Sequence, residues 1–140
     1  MKNRTEAAQV NPQSPESETI LVVEDYDGIR LVMKQYLEKC GYRVLEAADG
    51  KQAVEIARRE CLHICLILMD INLPISDGIA TTRQIRKIKQ LCDVPIVACT
   101  ARSSTEQRET ALAAGCSDLV AKPMDLNTMK TILDRYLPEK

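Results

Sequence analysis

Polar side chains that could act together follow four separate apolar runs of this sequence. They comprise three carboxylates, one hydroxyl and one ammonium: Glu24, Asp25, Asp70, Thr100 and Lys122. Each has an ordinary explanation alone, because aspartate is common in turns and threonine is a good strand residue. If the chain brings the three carboxylates together, they repel one another, and one lysine does not neutralise them. A hard divalent cation with oxygen ligands complements such a cluster, and Mg²⁺ suits it best.

Together these groups are equipped for phosphoryl transfer onto oxygen. In that chemistry one carboxylate is the nucleophile. The cation, the Lys122 ammonium and the Thr100 hydroxyl then stabilise the three equatorial oxygens of the phosphoryl group. The sequence therefore predicts a phosphoryl-acceptor site, provided that the fold brings the four run ends to one place.

Five short apolar runs are predicted to be strands. They are Ile20–Val23, Val44–Ala47, Ile64–Met69, Val94–Cys99 and Leu119–Ala121. The runs are rich in valine, isoleucine and leucine and are continuous rather than alternating, which is typical of strands buried on both faces. In a parallel sheet the ends of the strands share one edge, and ligands bind at that carboxyl edge.

Amphipathic segments between the runs are predicted to be helices. The first has apolar residues from Ile29 to Cys40 at helical spacing and ends at Gly41. The fourth is predicted to begin at a capping box made by Ser103 and Glu106. With three further helices, the total is a (βα)₅ protein with helices on both faces of a mainly parallel sheet.

The length of 140 residues predicts a single domain. Residues 1–18 carry two prolines and no periodicity, so we expect a disordered N-terminal tail followed by one domain over 19–140. The 19 basic and 20 acidic residues nearly cancel, which indicates no direct binding of nucleic acid or of an anionic membrane. No apolar run approaches the ~18 residues of a membrane span, and no signal peptide is evident. We expect a cytoplasmic protein.

Six cysteines raise the question of disulfides or a metal site. No CxxC pair occurs, and His63 is the only histidine, which excludes a histidine-rich metal site. Without a secretion signal, reduced and mostly buried thiols are the better interpretation.

The order of the motifs ILVVED, LILMDINLPISDG, PIVACTA and DLVAKP resembles a response regulator receiver domain of two-component signalling, similar to the stand-alone chemotaxis type. The resemblance covers residues 19 to about 137. It implies a flavodoxin-like, doubly wound parallel sheet with strand order 2-1-3-4-5. It also implies a cis peptide bond at Lys122-Pro123.

The resemblance assigns a role to each site residue. It implies that Asp70 is the phosphoacceptor, Thr100 the hydroxyl that moves on phosphorylation, and Lys122 the partner of the phosphoryl group. The implied Mg²⁺ ligands are Glu24, Asp25, Asp70 and the backbone carbonyl of Asn72. One position departs from the family pattern, because Leu119 stands where members usually carry Tyr or Phe three residues before the lysine.

The implied partners are a histidine kinase or a histidine phosphotransfer protein as phosphoryl donor and an unknown downstream protein, with a phosphorylation-dependent homodimer as a further option. Met1 and the tail indicate a whole gene product, whereas the receiver domain of a hybrid kinase in a phosphorelay is an alternative. A pseudo-receiver that is not phosphorylated is another, and Leu119 is the only argument for it.

An enzyme is the remaining alternative. A phosphatase of the haloacid dehalogenase type also has a nucleophilic aspartate at a strand end, but it requires a second aspartate two residues later. Position 72 is asparagine, which cannot transfer a proton. The sequence therefore favours a long-lived acyl phosphate with only slow self-dephosphorylation. A nucleotide-binding protein is weaker still, since neither GxxxxGK[ST] nor GxGxxG is present.

Overall fold

The computed structural model describes residues 18–73, 77–101 and 104–138. Five parallel strands form one sheet in the order β2-β1-β3-β4-β5. The strands are β1 Thr19–Val23, β2 Arg43–Ala47, β3 Ile64–Asp70, β4 Ile96–Thr100 and β5 Asp118–Ala121. The helices are α1 Asp27–Lys39, α2 Gly50–Arg59, α3 Gly78–Arg86, α4 Thr105–Ala114 and α5 Leu126–Tyr136, with a 3₁₀ turn at Lys89–Leu91. The expected flavodoxin-like strand order is confirmed.

Two aliphatic cores cover the two faces of the sheet. In β1, Leu21 and Val23 pack against one core, whose helical members come from α2, α3 and α4. Ile20 and Val22 pack against the other core, which contains residues of α1 and α5. Because successive side chains of a strand point to opposite faces, a strand between two helical layers is apolar at every position. This explains the continuous apolar runs.

Helix starts and strand starts differ from the prediction by one or two residues. The predicted cap Ser103 lies outside the described residues, and the cap of α4 is Ser104, which accepts a hydrogen bond from the Gln107 amide at 3.1 Å. Strand β4 begins at Ile96 rather than at Val94, and β5 begins at Asp118. Two adjacent serines satisfy the same capping pattern, so the pattern alone does not fix the register.

Helix α1 also differs from the sequence prediction at one residue. The sequence pattern predicts Ile29 on the apolar stripe of α1, yet this residue is 41% exposed, while Met33 and Leu37 are buried. The helix ends as predicted, with Gly41 at a positive φ of 97°. The expected disordered tail falls almost entirely outside the described residues. No helix within the described ranges is long and apolar enough to cross a membrane.

Arg86, at the end of α3, connects this helix to the amino edge of the sheet and to the end of α4. Its guanidinium donates to three backbone carbonyls: to Gly115 at 2.9 Å, and to Leu91 and Val94 at 2.6 Å each. These contacts join α3 to the turn before β4 and to the end of α4. Without the guanidinium, three partly buried carbonyl groups would lose their donor.

We expect Arg86→Met to lower the free energy of unfolding by about 2–4 kcal/mol, because hydrogen bonds to a charged donor are lost while apolar volume is kept. Arg83→Met is the matched control, since Arg83 lies on the same helix and is exposed; its change should stay within about 0.5 kcal/mol. Urea unfolding followed by circular dichroism measures both. Equal stability of the two variants would contradict this role of Arg86.

Candidate functional site

The carboxyl edge of the sheet brings the five predicted side chains together. Glu24 and Asp25 directly follow β1, Asp70 ends β3, Thr100 ends β4 and Lys122 follows β5. The register aligns these ends, since Asp70 pairs with Cys99 and Thr100 pairs with Ala121. Glu24, Asp70 and Thr100 are only 5%, 2% and 1% exposed, whereas Asp25 is exposed. The site is thus a shallow opening over buried polar groups.

The three carboxylates form the one cluster in the described part of the chain whose carboxylate oxygens suit a metal ion. One oxygen from each of Glu24, Asp25 and Asp70 lies within 4.8 Å of the others. Lys122 Nζ lies 3.1 Å from Asp70 Oδ2 and 3.9 Å from Glu24 Oε1. With three ionised carboxylates and one ammonium, the cluster carries a formal excess of two negative charges. This hard, oxygen-rich donor set fits Mg²⁺.

Burial dominates the acid–base behaviour of the cluster. It raises the pKa of Asp70, and the hydrogen bond from the Asn72 amide and the contact with Lys122 offset only part of this effect. It also raises the pKa of Glu24, assisted by the charge of Asp70. For Lys122, burial alone would lower the pKa, but the Asp70 hydrogen bond and the two carboxylate charges outweigh it and raise the pKa. The lysine therefore remains charged at neutral pH.

Backbone geometry holds the acidic residues in place. The Tyr26 amide donates to Glu24 Oε2 at 3.0 Å, and the Asn72 amide donates to Asp70 Oδ1 at 2.9 Å. Arg30 donates to the backbone carbonyl of Glu24 at 2.8 Å and so fixes the loop between β1 and α1. These contacts leave the carboxylates little freedom to move apart.

A close backbone approach adds to this restraint. A Cβ atom at Gly78 would clash with the Asp70 carbonyl oxygen and lie 2.7 Å from the Ile71 Cα. The Gly78 amide donates to the Ile71 carbonyl at 2.8 Å. Glycine is therefore required where α3 begins against the end of β3.

The remaining residues named in the sequence analysis lie around this cluster or in the adjacent core. The Lys122-Pro123 bond is cis, as expected, and the Lys122 amide donates to the Thr100 carbonyl at 2.8 Å. Leu119 is 5% exposed and packs in the core shared with α4. Asn72 is exposed beside Asp70.

Cys99 is a further residue at the site. It precedes Thr100 in β4 and lines a cavity of about 480 Å³ together with Glu24, Lys122 and Met124. Burial raises the pKa of its thiol to about 12. The thiol is therefore protonated and weakly nucleophilic at neutral pH.

Three polar contacts were not predicted from the sequence. The Thr100 hydroxyl lies 3.1 Å from Gln107 Oε1 and 3.4 Å from Asn72 Oδ1. Arg30 contacts the carbonyl of Glu24, as described above. The Ser-x-x-Gln spacing of residues 104–107 could have signalled Gln107 as a helix-start residue, but nothing in the sequence signals its contact with Thr100.

Comparison with known proteins assigns this chain to a family. The model of the response regulator receiver domain matches residues 20–134. The chain belongs to this family. It is a receiver domain of two-component signalling, and receiver domains are signalling modules.

Individual relatives support the assignment. The receiver domain is 36% identical over 121 residues to the sensor protein EvgS of Escherichia coli K12, covering 86% of this chain but 10% of that protein. It shares 40% identity and a TM-score of 0.77 with the receiver domain of the sensor histidine kinase PA1611 of Pseudomonas aeruginosa PAO1. That match covers 86% of this chain and 98% of the other, whose active site cleft coordinates a magnesium ion.

A third relative is a receiver domain in a complex. The receiver domain of the response regulator Ssk1 of Saccharomyces cerevisiae was solved with the histidine phosphotransfer signalling protein Ypd1. It is 28% identical, with a TM-score of 0.78, and the match covers 91% of each chain.

We expect Asp70→Asn to stabilise the metal-free receiver domain at pH 7 by about 1 kcal/mol, because one charge leaves a repelling cluster. The raised pKa of Asp70 means that the folded state binds this proton more tightly than the unfolded state. The contribution of Asp70 to the free energy of unfolding therefore falls as pH rises from its ordinary pKa, about 3.9, through the raised pKa. The advantage of the variant should accordingly grow with pH over this interval.

Urea unfolding between pH 4 and pH 7 measures this advantage, with and without Mg²⁺. Mg²⁺ should reduce it, because the cation relieves the same repulsion. Asp93→Asn is the control, since Asp93 is exposed in the loop before β4. A variant that is less stable than the wild type at pH 7 without Mg²⁺ would refute the charge argument.

Proposed function

We propose that Asp70 accepts a phosphoryl group from a histidine kinase or a histidine phosphotransfer protein, and that the phosphorylated domain signals through protein–protein contacts. The observation that carries this proposal is the position of the Asp70 carboxylate, within 4.8 Å of Glu24 and Asp25 and 3.1 Å from Lys122. A nucleophile, an acidic pair and a fixed ammonium are thus in one opening. Because the aspartate, the acidic pair and the lysine are all present, they also argue against an unphosphorylated pseudo-receiver.

Glu24, Asp25, Asp70 and the backbone carbonyl of Asn72 are the proposed Mg²⁺ ligands. Bound there, Mg²⁺ would neutralise carboxylate charge and offset charge on the phosphoryl oxygens. The support is the oxygen-rich donor set and the position of Asn72, whose amide holds Asp70 Oδ1. The magnesium site of the PA1611 receiver domain, at 40% identity, is consistent with it.

The transfer follows from the placement of these groups. An Asp70 oxygen attacks phosphorus, an O–P bond forms, and the P–N bond to the donor histidine breaks, leaving neutral histidine after proton uptake. Lys122 offsets the charge of one phosphoryl oxygen, and the Thr100 hydroxyl donates to another. Asn72 cannot take a proton from an attacking water, so the acyl phosphate is long-lived and the domain is not a turnover enzyme.

A protein donor is supported by the surface beside the site. Tyr26, Ile29 and Val32 are 65%, 41% and 53% exposed, and they line the apolar cavity that also contains Cys99. Exposed apolar side chains grouped at a functional opening are typical of protein contacts. The Ssk1 receiver domain in complex with Ypd1, at 28% identity, supports a phosphotransfer protein as one such partner.

Incubation with acetyl phosphate and Mg²⁺ should add one phosphoryl group per chain, measured by intact mass. Asp70→Asn should remain unmodified, because the nucleophile is gone, and excess EDTA should suppress labelling of the wild type. Asp93→Asn should label like the wild type. Phosphorylation of the Asp70→Asn variant, or full labelling in EDTA, would remove Asp70 and Mg²⁺ from these roles.

The partner response should depend on Thr100 rather than on Leu119. Thr100→Val removes the hydroxyl at constant shape and should cost about tenfold or more of the affinity gained with beryllofluoride. Leu119→Val keeps an apolar side chain in the core but restricts its χ1; it should retain the gain within about twofold. The measurement is binding of a partner, or self-association, with and without beryllofluoride. If Leu119→Val loses the beryllofluoride-dependent increase in affinity and Thr100→Val keeps it, the response depends on Leu119 rather than on Thr100.

A further inference from the structure

Gln107 connects the start of α4 to the site in two ways. It is the third residue of the helix, and its backbone amide donates to the cap Ser104 Oγ at 3.1 Å. Its side-chain oxygen accepts from the Thr100 hydroxyl, also at 3.1 Å. Gln107 is half-buried and Thr100 is 1% exposed, so the second contact is partly buried. One residue therefore contacts both the helix cap and the hydroxyl beside Asp70.

This arrangement is an incomplete capping box. In the complete motif, the serine accepts from the backbone amide of the third residue, and the glutamine side chain in return accepts from the backbone amide of the serine. Ser104 and Gln107 make the first bond. In the described part of the chain, however, the donor to Gln107 Oε1 is Thr100 rather than the Ser104 amide. The Gln107 oxygen is therefore bonded to Thr100 in place of its partner in the complete capping box.

Phosphorylation changes the balance between these donors, and this step depends on the function proposed above. A hydroxyl has a single hydrogen to donate. When Thr100 donates to a phosphoryl oxygen on Asp70, the hydrogen is withdrawn from Gln107. A half-buried carbonyl without a donor is unfavourable, and the Ser104 amide is the donor that a complete capping box would give it.

The structure leaves room for the change. A cleft of about 410 Å³ opens beside Gln107 between the starts of α3 and α4. It is lined by Ile79, Ser104, Glu106, Gln107 and Thr110. The side chain can therefore turn toward Ser104 without displacing a packed core residue.

We propose that Gln107 exchanges donors on phosphorylation, from the Thr100 hydroxyl to the Ser104 amide, and thereby tightens the first turn of α4. The signal then passes from the phosphoryl group to the helix through a polar contact. Leu119, which has no hydroxyl and is packed in the core, is not required for this route.

The test compares four proteins: wild type, Gln107→Met, Gln107→Glu and Thr110→Val. The methionine removes the acceptor at similar volume, and the glutamate keeps it. Thr110 lines the same cleft, but its hydroxyl donates to the Glu106 carbonyl of its own helix at 3.0 Å, so it is the matched control. The amide–water exchange rate of Ser104 is measured by NMR with Mg²⁺, before and after addition of beryllofluoride.

In the wild type, Gln107→Glu and Thr110→Val, we expect beryllofluoride to slow exchange at the Ser104 amide by about 2- to 13-fold, the effect of one hydrogen bond. In Gln107→Met, the rate should not change, although beryllofluoride still binds. Binding itself is followed by the shift of the Ile71 amide, next to Asp70.

The outcomes distinguish the donor exchange at Gln107 from the phosphoryl-acceptor role of Asp70. If the Ile71 amide shifts but the Ser104 rate stays constant in the wild type, or slows equally in Gln107→Met, donor exchange is overturned while Asp70 keeps its proposed role. If beryllofluoride does not shift the Ile71 amide of the wild type, the proposed function fails and donor exchange fails with it.

Discussion

The mutual repulsion of three carboxylates is the constraint around which this receiver domain is arranged. Two of them are buried, and Lys122 provides only one opposing charge at 3.1 Å from Asp70. Such a cluster is unfavourable for folding, and it persists because the rest of the domain fixes the strand ends independently. Two aliphatic cores, one on each face of the sheet, keep the strand ends in place. The same unfavourable charge density favours the binding of a cation, which under the proposed function would allow a phosphoryl group to approach Asp70.

The local supports of the site come from backbone groups more than from side chains. Amides hold one oxygen of Glu24 and one of Asp70, and Arg30 holds the carbonyl of Glu24. Gly78 lets α3 begin directly against the end of β3. Supports of this kind tolerate sequence change on the helix surfaces, since they depend on the path of the chain. They also explain why a domain without Phe or Trp can hold a well-defined site.

The sequence predicted the elements well, and it predicted which polar residues meet at the carboxyl edge of the sheet, because both depend on local pattern. Continuous apolar runs followed by polar residues located the strand ends, and parallel topology then required those ends to meet. Strand order came only from the family resemblance, since hydrophobic pattern does not distinguish neighbours in a sheet. The sequence pattern did not fix the start of α4, because Ser103 and Ser104 both satisfy the capping-box rule. It also failed for contacts between distant elements, as with Thr100 and Gln107, which depend on side-chain geometry.

The protonated thiol of Cys99 has a consequence for how the protein responds to oxidants. Reaction with peroxides and disulfides requires a thiolate, and burial raises the pKa of Cys99 to about 12. Cys92 is exposed, lies in the loop before β4 and is far more accessible. Mild oxidation should therefore modify the surface and leave the chemistry beside Asp70 intact. A sulfur atom thus lies next to the proposed phosphoryl-acceptor site without making that site sensitive to mild oxidants.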